Sequence, residues 1–211
     1  TLDLQPSTNL PAREPIPASD EPAATDEPLA SESVLELDGN GSYLELPAAA
    51  FNDLTEATVE AWGKWDSFTL GPTFFSFGAG GPYVGMAGDA PRRGGGSSGS
   101  VPANGSLNFI TPPQGTRGVI SGPLRTSEGL LPLSEWSHFA MVTGPGGKKL
   151  YLNGILLNQD ASTNSFASVA KGAGFYFGRS VLTIQPGPNF FQGQMDEIRV
   201  WKTARTEAQI R

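Results

Sequence analysis

Cysteine is absent from all 211 residues. That excludes a disulfide framework, a thiolate metal site and a cysteine nucleophile. Histidine occurs once, at His138, and no grouping of it with acids has transition-metal ligand spacing. Charge is scarce, at 17% of residues, and a basic excess is missing altogether: the formal net charge is −7. A nucleic-acid partner held by a basic face therefore has no support. No apolar run approaches the ~20 residues needed to span a bilayer. No charged-apolar-small leader pattern opens the chain, so a leader, where one exists, precedes Thr1. Walker-type and Rossmann glycine patterns are missing too, because Gly94–Gly96 are followed by no Lys-Ser/Thr and join no strand to a helix.

What the chain does have is glycine (27) and proline (18) in quantity, the composition of many turns between short strands. The acids are uneven. Residues 1–33 hold seven acids and one base, a net of −6, whereas 34–211 are nearly neutral at −1. Pro6, Pro11, Pro15, Pro17, Pro22 and Pro28 punctuate that first stretch. It has too little apolar surface to offset its ordering entropy alone. It reads as a Pro/acid-rich extended arm or linker. As an arm it would lay Leu2, Leu4, Leu10 and Ile16 on another chain, with the alternating 1–5 stretch suited to pairing with a sheet edge.

From residue 34 the pattern becomes that of strands. Residues 34–38 and 43–46 alternate about a Gly39–Ser42 turn and read together as a hairpin. Residues 57–65 put Val59, Ala61, Gly63 and Trp65 on one face and Thr58, Glu60, Trp62 and Lys64 on the other. Strands follow at 73–78, 82–88 and 106–111, with a Gly/Ser-rich loop at 89–105. Residues 136–144 read as a central strand with two apolar faces. Residues 148–159 read as a hairpin with Leu150, Leu152, Ile155 and Leu157 about an Asn153-Gly154 type I′ turn. Residues 174–178 and 190–201 complete the strands, and Thr206 with Gln209 suggests a capping box for a short terminal helix. Ten to thirteen strands without a long helix predict an all-β, two-sheet antiparallel sandwich over 34–211.

Four stretches, 35–47, 51–65, 136–157 and 190–211, resemble in order the laminin-G-like jelly-roll domains of the concanavalin A-like lectin/glucanase superfamily. They contain an Asp-Gly turn, a Glu-Ala-Trp strand, a Trp-x-His strand, a Leu-Tyr-Leu-Asn-Gly hairpin and a closing Asp-Glu-x-Arg-Val-Trp strand. Two departures stand out: Gly63, where the family usually carries Val or Ile, and the 89–105 loop, where relatives continue in strand. The resemblance implies a structural calcium between the opening turn and the last strand, with Asp38 and Asp196 as carboxylates and carbonyls of Gly39 and Gly41 beside them. The alternative is that Asp38 merely closes its turn, while Asp196 caps a strand or pairs with Arg199.

Catalysis finds little support. A retaining glycosidase needs two carboxyl groups ~5–5.5 Å apart. Glu36 and Asp38 share a face, but the third position of the expected series is Asn40, and Asp196 and Glu197 fall on opposite faces. His138 reads as a buried, hydrogen-bonded core residue, and Trp62, Trp65, Trp136 and Trp201 as core packing rather than sugar platforms. Asn40-Gly-Ser42 and Asn104-Gly-Ser106 fit the glycosylation acceptor pattern. The chain thus reads as a non-catalytic, extracytoplasmic (periplasmic, cell-surface or secreted) interaction or assembly module, with protein chains of an assembly as partners. The alternative is a carbohydrate-binding lectin-like domain.

Overall fold

The computed structural model describes residues 34–68, 72–79, 83–89, 106–111, 124–127, 129–169, 174–182 and 189–210. The expected arm, with Leu2, Leu4, Leu10 and Ile16, lies outside the described residues, as do 90–105.

Among the described residues, twelve strands form two antiparallel six-stranded sheets. In the first sheet β1 (Leu35–Asp38), β12 (Gln192–Trp201), β3 (Ala57–Trp65), β8 (Ser137–Thr143), β9 (Lys148–Leu152) and β10 (Ile155–Asp160) lie side by side in that order. The second runs β2 (Leu44–Leu46), β11 (Gly174–Phe177), β4 (Thr73–Gly78), β5 (Tyr83–Asp89), β6 (Ser106–Ile110) and β7 (Leu124–Arg125). The sandwich read from the sequence is the fold.

The alternation in β3 sets the two faces. Val59, Ala61 and Trp65 enter the core between the sheets, so Thr58, Glu60, Trp62 and Lys64 point outward. Trp65 is the hub of that core, with ring centroids 5.2 Å from Phe74, 4.8 Å from Phe139 and 5.0 Å from Phe191. Gly63 is the close neighbour in this packing. A Cβ there would sit 2.6 Å from Cε2 of Phe74 and 3.3 Å from Cε2 of Phe139. The register through Gly63 is continuous on both sides, so it marks no bulge.

The first expected hairpin is not one. β1 pairs with β12 and β2 with β11, in different sheets. Asp38 Oδ1 accepts the amides of Asn40 (2.9 Å) and Ser42 (3.2 Å), and Gly39 and Gly41 take φ of +72° and +124°. That turn carries the chain across the sandwich rather than back along itself. The hairpin of β9 and β10 forms as expected, with Asn153 and Gly154 both at positive φ, as a type I′ turn requires. Its Ile155, however, is 64% exposed rather than in the core, because it is the first residue out of the turn.

After β12 the chain folds back over the outer face of β3, β8 and β9. Thr58 Oγ1 donates to the Thr203 carbonyl and accepts the Arg205 amide. The short helix α1 (Glu207–Ile210) starts with the Gln209 side chain accepting the Thr206 amide at 2.8 Å, one half of the expected capping box. Ile210 is buried against Ala140, Val142 and Tyr151.

Candidate functional site

Sequence parity places Trp62 and His138 outward on adjacent strands, directly opposite one another in the β3–β8 register. Their ring centroids are 5.4 Å apart. Trp136 precedes β8, and the Asn153-Gly154 turn stands at the strand's end. Asn153 is pinned there in both directions: its side chain accepts the His138 amide and its own amide donates to the His138 carbonyl, each at 2.8 Å. These residues, with Ile155 and Ile210, line an open groove of about 690 Å³. Trp62 and Trp136 are 37% and 39% exposed in it.

The core reading of the tryptophans therefore holds for Trp65 alone. Trp62, Trp136 and Trp201 are exposed on the outer face, because β3 points its even-numbered residues away from the second sheet and Trp136 lies ahead of the paired part of β8. Their large apolar area suggested burial. The polar residues beside Trp62 in the alternation, Glu60 and Lys64, were the contrary signal. His138 is likewise not a core residue: it is partly covered on the outer face, its Nε2 3.9 Å from Glu60 Oε2.

Glu60 lies beneath this surface, 2% exposed. Its Oε1 accepts from the Trp201 indole N–H and from the Arg205 guanidinium, and Arg205 Cζ sits 4.5 Å over the Trp201 ring. The C-terminal segment is thus what buries an outward-facing carboxylate, and sequence alone offered no sign of that. Burial holds the His138 imidazole below the ordinary histidine range, with Arg199 and Arg205 adding to the effect against the opposing pull of Glu60 and Glu197. The groove is accordingly lined by a neutral imidazole near pH 7.

The structure does not bring the expected calcium carboxylates together. Asp38 faces Gln192 in the β1–β12 register, so Asp196 is four positions further along, ~13 Å at the rise of a strand. Each carboxylate serves its own backbone. Asp38 closes its turn, and the Asn40 amide, then Ser42, hold its carboxyl below the usual range. Asp196 Oδ1 accepts the Glu197 amide at 2.7 Å, at a bulge where Glu197 has φ +48°. Arg199 pairs with Glu197 at 3.1 Å rather than with Asp196. Among the described residues no three His, Cys, Asp or Glu side chains cluster as a metal site.

The two six-stranded antiparallel sheets of the described residues form a β-sandwich of the concanavalin A-like kind. Residues 38–211 match a laminin-G-type family model, and the chain belongs to the concanavalin A-like lectin/glucanases superfamily. No curated relative matches it by sequence. Solved structures share the fold at low identity. The sialidase CBM40 of Ruminococcus gnavus, bound to α2,3-sialyllactose, is 15% identical with TM-score 0.64, over 84% of this chain and 94% of that one. Domain 4 of AbnA, a GH43 extracellular arabinanase of Geobacillus stearothermophilus, in complex with arabinotriose, is 21% identical with TM-score 0.54, over 84% and 74%. The SAP-like pentraxin of Limulus polyphemus is 14% identical with TM-score 0.52, over 83% and 78%.

Proposed function

We propose that residues 34–211 form a non-catalytic carbohydrate-binding module that works outside the cytoplasm. The observation that carries this is the pair of exposed indoles, Trp62 and Trp136, in one groove with His138. The C–H faces of a sugar ring stack on indoles, and a few polar groups suffice to orient it. An imidazole kept neutral offers one donor and one acceptor to hydroxyl groups. The carboxylate that reaches His138, Glu60, is already committed to Arg205 and Trp201, which supports binding over hydrolysis. Two neighbours of the same fold, one of them from an extracellular enzyme, were solved with oligosaccharides bound. The assembly role that the sequence ranks first rests on residues 1–33, outside the described residues. The groove supports the lectin-like alternative.

The test is a glycan array followed by calorimetry on the best oligosaccharide. Trp62→Ala and Trp136→Ala are each expected to weaken binding about tenfold, or ~1.4 kcal/mol, with the melting temperature little changed. An array on which nothing binds rejects the function. Binding that survives the double variant rejects this groove as its site.

A further inference from the structure

The opposite outer face carries a second group of aromatic and cationic residues that the groove does not use. Phe175 and Phe177 of β11 enter the core, so Tyr176 between them points out of the second sheet. Tyr43, just ahead of β2, meets it edge-on at 5.5 Å and 89°. Arg179, two residues after β11, lies against both rings, its Cζ 4.8 Å from each centroid.

This arrangement is built from several directions. The Arg179 carbonyl accepts from the buried Ser76 hydroxyl at 2.7 Å, and that hydroxyl accepts the Val181 amide at 3.0 Å. The backbone on either side of the arginine is therefore tied to β4. Tyr176 is folded back over Gly174, where any Cβ would lie 2.4 Å from ring carbon Cε2. Only glycine at that position leaves the ring where Arg179 uses it. The guanidinium itself is under-used. Among the described residues its buried Nε has no hydrogen-bond partner, and no carboxylate of theirs lies within 4.0 Å of the guanidinium. Two aromatic rings orient the guanidinium without consuming its N–H donors. A planar fork held in this way matches the oxygens of a carboxylate or sulfate.

We propose that Arg179, braced by Tyr43 and Tyr176, is a second binding site that takes the oxyanion of an acidic saccharide, a carboxylate or a sulfate ester. The tyrosine faces supply apolar surface for the ring that carries the anion. Glu45, exposed and opposite Tyr176 in the β2–β11 register, accepts hydroxyl hydrogens of that ring. The site is on the other sheet from Trp62 and Trp136, so the two are separable by mutation.

Titration of the whole chain, followed by backbone and arginine Nε–H resonances, tests this with four probes. They are a disaccharide ending in a hexuronic acid, a neutral disaccharide, the same neutral disaccharide bearing one sulfate ester, and inorganic sulfate. At least one charged disaccharide is expected to bind tenfold or more tightly than the neutral one, to shift the Arg179 Nε–H signal, and to weaken as salt is raised. The better of the uronate and the sulfate ester identifies the oxyanion. Arg179→Lys should abolish most of that preference, since lysine keeps the charge but not the fork, while in Trp62→Ala the charged disaccharide should still shift the Arg179 Nε–H signal. Gly174→Ala, which pushes the Tyr176 ring aside, should weaken the charged probe with an unchanged far-UV spectrum. Equal affinity for charged and neutral disaccharides, or an Arg179→Lys variant that binds as wild type does, overturns the proposal. Inorganic sulfate binding as tightly as the charged disaccharides overturns its saccharide part. None of these outcomes touches the Trp62 groove, whose failure would be a loss of neutral-glycan binding.

Discussion

Glu60 and Arg205, 145 residues apart in the chain, form an ion pair on the outer face of the first sheet. The pair buries a carboxylate that β3 points toward solvent. Removing the arginine strands that charge with only the Trp201 N–H and a neutral imidazole beside it. Breaking one side of a buried pair costs about 3 kcal/mol or more, so Arg205→Ala should lower the urea midpoint sharply. Adding Glu60→Gln to Arg205→Ala should recover part of the loss, because the stranded charge is gone. A double variant no more stable than Arg205→Ala would place the cost in the lost packing over Trp201 instead.

His138 predicts the direction of a pH response. Burial lowers its pKa in the folded chain, so below the ordinary histidine value of about 6.5 the unfolded chain binds the extra proton first. Stability from this residue is fully present above that value and is lost as pH falls toward the folded pKa. The urea midpoint of wild type should drop between pH 7 and pH 5, and His138→Gln should flatten that drop. An equal slope in both proteins would assign it to other groups.

Gly63 fits because Phe74 and Phe139 fill the space a side chain would take. Gly63→Val should destabilise by about 2 kcal/mol through overpacking. Phe74→Leu frees volume at the contact, and the double variant should therefore lose less than the two single costs added together. Simple additivity in chemical denaturation would contradict the contact.

Much of the architecture was legible in local pattern. The alternation of β3 named its core residues, Asn153-Gly154 named its turn, and Thr206 with Gln209 marked the last helix, since each signal lies within a few residues. The opening turn was misread because alternation says that two strands exist and not which sheet each joins. Partner choice lies with β12 and β11, more than a hundred residues downstream. Asp38 and Asp196 were paired by resemblance, and the register separated them.

Composition and period thus determined by themselves that this chain builds a two-sheet sandwich with a neutral body, because burying alternate residues of many short strands leaves few other solutions. Tertiary structure decided where its chemistry lies. Trp62 and Trp136 share a groove, Glu60 is buried, and Arg179 rests between two tyrosines only through contacts between strands distant in sequence. Solvent exposure is a property of what covers a residue. For Glu60 that cover is the C-terminal segment, and for Trp62 it is nothing but the groove.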